Sequence, residues 1–170
     1  MLFFWLILIV PALYLIWKYW SFVIGAGYDP TPYEKVNPLL GLAGMDENDV
    51  LYDLGCGDGR LIISAARDFG ARAVGIEADP IRYLVAVLNV RKAGQQDRIR
   101  ILFGNFFRFP LKEATVVSLF LYPPVNNKLK TKFTKELKKG ARIVSYLWAI
   151  DGWEDKGPLS KEGLHLYIME

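Results

Sequence analysis

The sequence predicts an α/β fold, a mostly parallel sheet with helices on both faces. Short apolar runs rich in β-formers alternate with helix-periodic stretches between residues 50 and 150, the pattern of strands joined by crossover helices. The run Val50-Leu51-Tyr52 ends on Asp53, passes through Gly55, Gly57 and Gly59, and opens into a helical pattern. That is a strand, a tight loop and a helix start, with backbone left bare for a ligand. Asp53, Glu77, Asn105 and Tyr122 stand where four successive strands end. In such a fold those ends share one edge, where ligands bind.

Size and charge bound the rest. A chain of 170 residues suits one catalytic or binding domain. It is 52% hydrophobic with mean hydropathy +0.18, and the apolar excess sits in the first 27 residues. The net charge of +3 is weakly basic, so no nucleic acid partner is expected. A single cysteine, Cys56, excludes an intrachain disulfide and a cysteine-built zinc site, and with one histidine, His165, no metal is expected.

Taken in order, Leu2 to Ile24 is long and apolar enough to span a bilayer, with Tyr14, Trp17, Tyr19 and Trp20 grouped around Lys18 as an interfacial belt. Residues 1–27 are therefore expected to be a membrane anchor and 28–170 the functional domain. A cleaved secretory signal competes, but it would need a positive start that only the α-amino group supplies. Lys18 and Lys35 both follow the uncharged stretch Met1 to Trp17 and favour a single-pass chain with its domain on the cytoplasmic side.

Tyr28 to Tyr33, with prolines at 30 and 32, reads as a rigid joint. Thr31 is expected to cap a helix over about 32–43, with Pro32 first and Glu34 completing a capping box. Leu61, Ile62, Ala65, Ala66 and Phe69 recur with helical spacing and stop at Gly70. Residues 73–77 and 99–103 read as strands flanking a helix over 80–91. Residues 115–121 and 143–148 read as strands flanking a helix over 125–138, and 164–169 as an edge strand. Lys128, Lys130, Lys132, Lys135, Lys138, Lys139 and Arg142 set seven cations against Glu136, read as a solvated face with anionic lipid as the competing partner.

Glu77 lies 18 residues beyond Gly59, where a carboxylate can accept both hydroxyls of a ribose. The glycines are spaced Gly-x-Gly-x-Gly rather than as a dinucleotide fingerprint, and Asp53 and Asp58 flank them. Two carboxylates repel a pyrophosphate and attract a cation. An adenosine bearing positive charge, S-adenosylmethionine, fits this pattern.

Here the chain resembles a known family. Asp53-Leu54-Gly55-Cys56-Gly57-Asp58-Gly59 is similar to the first motif of Rossmann-like class I S-adenosylmethionine-dependent methyltransferases. Thr31-Pro32, Gly104-Asn105-Phe106-Phe107, Glu113-Ala114-Thr115-Val116-Val117, Lys135-Glu136-Leu137-Lys138 and Arg142-Ile143-Val144-Ser145 follow in order. They resemble small archaeal protein-lysine methyltransferases and the mitochondrial ATP synthase c-subunit lysine methyltransferases, over about 28–153. The resemblance implies that Gly55 and Gly57 approach the methionine half and that Asp53 anchors the loop. It also puts Glu77 on the ribose, Asn105 and Phe106 by the adenine, and Tyr28 and Thr31 over the cofactor. The implied partner is a protein, possibly a membrane protein, carrying an acceptor lysine. Tyr122-Pro123-Pro124 departs from the archaeal pattern.

The acceptor must be a neutral amine, and neutralising a free lysine at pH 7 costs about 4–5 kcal/mol. An apolar channel and a nearby sulfonium lower that cost. No dedicated base is evident. Tyr122 is the candidate catalytic residue, orienting the amine, with Phe107, Trp148 and Trp153 as candidate channel walls; for the two tryptophans a simple cover of the sheet edge is the equal alternative. Cys56 reads as structural and His165 as packed or exposed. A lipid or small-molecule acceptor and a non-catalytic cofactor-binding scaffold are the competing functions, with a nicotinamide dehydrogenase behind them.

Overall fold

A computed structural model describes residues 29–158 and 162–170, together with Leu8, Ile9 and Pro11. The expected anchor over residues 1–27, Tyr28 included in the joint beyond it, lies outside the described residues apart from those three positions. Among the described residues no helix is long and apolar enough to cross a membrane.

The elements alternate as expected. Helix α1 is Tyr33–Leu42, strand β1 Val50–Leu54, α2 Arg60–Phe69, β2 Arg72–Glu77, α3 Pro80–Lys92 and β3 Ile99–Phe103. After a single 3₁₀ turn at Phe106–Arg108 come β4 Val116–Leu119, α4 Pro123–Glu136, β5 Arg142–Tyr146 and β6 Leu164–Ile168. The six strands lie in the order β3-β2-β1-β4-β5-β6. All neighbours are parallel except β5 and β6, whose antiparallel pairing closes the sheet at that edge.

Both faces are covered, so the central strands read as continuous apolar runs rather than alternating ones. On one face Leu39 and Leu40 of α1, Ile62 and Ala65 of α2, and Ala86 and Val90 of α3 pack on Leu51, Ala73 and Val144. On the other, Leu129 and Phe133 of α4 pack with Leu111, Val117, Ile143 and Tyr167.

Three local expectations are corrected. Thr31 does not cap α1: the helix begins one residue later, Pro32 occupies the cap position, and no side chain bonds the free N–H groups. Thr31 instead is buried in the cleft described below. Trp153 is no channel wall, because its ring lies 6.3 Å from Phe133 and 6.1 Å from Tyr167 in the α4-side core. Arg142 does not belong to the cationic face of α4. It begins β5 and reaches back to Asp49 and, at 2.7 Å, to the Ala43 carbonyl, fastening the end of α1 to the sheet. Of the lysines on that face, Lys132 pairs with Glu136 at 2.8 Å and Lys130 bonds the Asp151 carbonyl, while Lys128, Lys135, Lys138 and Lys139 are exposed.

Candidate active site

The loop from β1 to α2 is built by its glycines. Gly55, Gly57 and Gly59 have φ of 88°, 56° and 85°, a region that side chains with a Cβ rarely enter. Gly55 and Cys56 both donate to the Ile76 carbonyl at the end of β2, at 2.8 and 3.1 Å, which pins the loop's first turn to the neighbouring strand. Cys56 is buried, and its Sγ lies 2.7 Å from where a Cβ on Gly75 would sit. Burial and the surrounding acids push its thiol well up, so it is inert packing.

Beside this loop a cleft with about 890 Å³ of open space, solvent included, lies along the carboxyl edge of the sheet. Asp29, Pro30 and Thr31 form one wall, and Asp53, Gly55, Gly57 and Asp58 the floor. Glu77 with Asp79 and Phe106 with Leu121 complete it.

Asp53 is the register partner of Ser118 on β4, and its Oδ1 accepts from Ser118 Oγ at 2.7 Å. Its Oδ2 is buried and has no hydrogen-bond partner among the described residues. Burial, opposed by that hydrogen bond and helped by Glu77 and Asp58, pushes the carboxyl up to about 7.

Glu77 ends β2 and holds three backbone N–H groups. Oε2 accepts from Gly57 at 2.8 Å, and Oε1 from Ala78 at 3.0 Å and Asp79 at 2.9 Å. Burial raises its carboxyl while those bonds pull the other way. One sp² lone pair of Oε2 remains for a ligand hydroxyl.

Asp58 departs from the expected arrangement. Arg60 Nε and Nη2 take both its oxygens, at 2.9 and 2.6 Å. Its charge is thus matched by a fork-to-carboxylate pair, and the pull on a cation comes from Asp53 and Glu77. Arg60 does more: Nη1 donates to the Thr31 carbonyl at 2.7 Å, and its guanidinium lies 4.2 Å from the centre of the Tyr33 ring. It therefore ties the joint that walls the cleft to the loop that floors it. Sequence reasoning missed Arg60, whose partners lie up to 29 residues away.

Asn105 is exposed, and its Oδ1 accepts from the Phe107 N–H at 2.9 Å, capping the 3₁₀ turn. Phe106 lines the cleft, with the Phe107 ring 4.9 Å away. Tyr122 precedes α4 at the cap position, 43% exposed, its ring 6.0 Å from Trp148. Both lie just past the ends of β4, at Leu119, and β5, at Tyr146, at the rim. Ser145 Oγ donates to the Trp148 carbonyl at 2.5 Å, and Leu147 between them has φ 65°, unusual for a branched residue. His165 is not in the site. Its Nδ1 pairs with Asp155 at 2.7 Å on the edge strand.

These residues fit S-adenosylmethionine. An unpartnered buried carboxylate oxygen suits an ammonium, a free lone pair on Glu77 suits a ribose hydroxyl, and Phe106 and Leu121 suit a purine's apolar faces. Among the described residues no cluster could hold a metal.

Comparison with known proteins agrees with this geometry. The family model for the ANTKMT methyltransferase domain matches residues 53–157. A protein-lysine N-methyltransferase of Saccharolobus islandicus is 46% identical over 156 residues, 88% of this chain and 97% of that protein. The adenine nucleotide translocase lysine N-methyltransferase of Mus musculus is 29% identical over 150 residues, covering 82% of this chain and 65% of its own length. Among solved structures, an RNA methyltransferase from Salinibacter ruber in complex with S-adenosyl-L-homocysteine superposes with a TM-score of 0.81 at 41% identity, over 83% of this chain and 94% of that one.

Proposed function

This chain belongs to the ANTKMT methyltransferase domain family, and we propose that it moves a methyl group from S-adenosylmethionine to the side-chain amine of a protein lysine. The observation that carries the choice of acceptor is the 46% identity to the archaeal lysine methyltransferase, which extends over nearly all of that protein.

The cofactor supplies an electrophilic methyl on a sulfonium. The chain's part is positioning, which can supply most of the acceleration of such a displacement. Asp53 Oδ2 would hold the ammonium of the methionine half, the bare backbone of Gly55 and Gly57 would let it approach, and Glu77 would fix the ribose. Phe106 would face the adenine, with Tyr28 and Thr31 covering the cofactor. Tyr122 and Trp148 wall the acceptor's approach and keep water from the amine, which favours its neutral form. Tyr122→Phe should lower single-turnover methylation about tenfold while leaving S-adenosylhomocysteine affinity unchanged in calorimetry. Full activity in that variant removes Tyr122 from the mechanism.

The apolar run Leu2 to Ile24 supports an anchored enzyme, with residues 1–27 in the bilayer and 28–170 on its cytoplasmic side. Its acceptor is then a membrane or membrane-bound protein, reached through raised local concentration. Incubating the full chain with methyl-labelled S-adenosylmethionine, native membranes and soluble extract tests both statements. Label on lysine of a membrane protein is expected. Label in the lipid fraction, or none in protein, overturns the reading. The likeness to the Salinibacter ruber protein favours RNA as a second acceptor, and label in the RNA fraction of the same experiment would select it.

A further inference from the structure

Among the described residues, helix α3 leaves one face without a partner. Its inner side, Ala86 and Val90, packs in the core. On its outer side Ile81, Leu84, Val85 and Leu88 are 49, 58, 39 and 61% exposed. Their spacing is i, i+3, i+4 and i+7, a single stripe along the helix. Arg91 and Lys92, both exposed, continue the same stripe by one more turn, and α3 carries no acidic residue. Scattered surface leucines need no explanation, but four aliphatic side chains in one row that ends in two cations do.

Charge and position select the occupant. RNA is gripped by cations and stacked on aromatic rings, whereas this stripe is aliphatic. Aliphatic side chains along one helix face, with cations at its end, suit the boundary between acyl chains and anionic headgroups. The bilayer is also within reach. Asp29, Pro30 and Thr31 line the same cleft as Asp79 and Arg82 at the start of α3. Only five residue steps separate Ile24, the end of the apolar run, from Asp29, about 18 Å at full extension.

We propose that α3 lies in the surface of the bilayer that receives residues 2–24, its aliphatic stripe at the acyl boundary and Arg91 and Lys92 against anionic headgroups. This rests on the anchored reading given above. Two attachments, both next to segments that line the cleft, would then hold it at the membrane surface. The acceptor lysine that fits is one presented at headgroup level by a membrane protein.

The test uses the full chain in phosphatidylcholine vesicles, with and without phosphatidylglycerol. A bimane probe is placed on α3 by Leu88→Cys or on α4 by Lys135→Cys. Buried Cys56 does not compete for the label, and retained S-adenosylhomocysteine binding certifies each variant. Lipids brominated along the acyl chain should quench most of the signal at position 88 and leave position 135 bright. Replacing Arg91 and Lys92 by serine should abolish any gain in quenching from phosphatidylglycerol. Chains that do not float with either vesicle overturn the anchor and this proposal together. Flotation with position 88 unquenched overturns the α3 contact alone. In that case, a probe shielded without lipid points to residues 2–24 or a second copy covering the stripe, and a response to structured RNA points to a nucleic acid surface.

Discussion

Asp53 and Arg60 divide the work of the site between a buried carboxyl with one oxygen unpartnered among the described residues and a guanidinium with several partners. The carboxyl of Asp53 stands at about 7 because burial penalises its ionised form. A folded pKa above the unfolded value of about 3.9 means stability that is complete below pH 4 and lost as pH rises through 7. The ligand-free protein should therefore melt at lower temperature at pH 8 than at pH 5, by a contribution on the order of 3 kcal/mol from this group. A cationic ligand reverses the sign, since it binds the ionised carboxylate. The thermal shift produced by S-adenosylmethionine should grow from pH 6 to pH 8. Asp53→Asn should flatten both trends in scanning fluorimetry, and unchanged trends would place the titration elsewhere. Arg60 makes three kinds of contact with one planar fork, to Asp58, the Thr31 carbonyl and the Tyr33 ring. Arg60→Gln should cost about 2 kcal/mol in stability and weaken cofactor binding by loosening the 29–31 wall. Arg60→Lys should restore little of either, because a point charge cannot serve the carboxylate and carbonyl in one plane. Chemical denaturation and calorimetry read the two effects separately.

At the scale of elements, the loop from β1 to α2 holds its form through β2. Two loop amides bond the Ile76 carbonyl, and Cys56 packs where Gly75 leaves space. A Cβ at 75 would stand 2.7 Å from Cys56 Sγ and 2.8 Å from Ile62 Cδ1. Gly75→Ala should therefore cost about 1–3 kcal/mol by overpacking and lower cofactor affinity through a loop it never touches in sequence. Adding Cys56→Ala should recover part of both losses, a coupling that a double-mutant cycle measures. Independent, additive losses would show that the contact is incidental. Helix α3 differs from α2 in the same layer. In α2 a strongly one-sided pattern states which face is inside. In α3 Ile81, Leu84, Val85, Ala86, Val87, Leu88 and Val90 surround the axis, so periodicity alone cannot choose, and only the fold shows that Ala86 and Val90 face inward.

Across the whole molecule, the legible parts were those written in local pattern. Strand and helix order followed from periodicity and glycine stops, and β3, read as 99–103, is Ile99–Phe103. Asp53 and Glu77 could be placed in the site because a strand's end fixes where its last side chain goes. What stayed hidden depends on chain segments that meet only after folding. Asp58 looked like a free anion because Arg60, two residues on, reads equally well as a surface cation. Thr31 looked like a helix cap because its residue type suits one, and only the family resemblance put it at the cleft, where the fold buries it. Trp153 and Trp148, five residues apart, part company. One enters the core with Tyr167 and the other stays at the rim with Tyr122.

Glu77 accepts from the Gly57 amide with the same oxygen that, in the proposed function, would meet a ribose hydroxyl. On that reading, recognition of one half of the cofactor and the shape of the cradle for the other would pass through a single atom. The two halves of the ligand should therefore communicate even when the bond between them is cut. Adenosine and methionine, titrated as separate fragments, should each bind more tightly in the presence of the other. In Glu77→Gln that mutual help should shrink more than either fragment's own affinity. Fragments that bind with no regard to each other would mean that the loop is rigid on its own account, and that Glu77 serves the ribose alone.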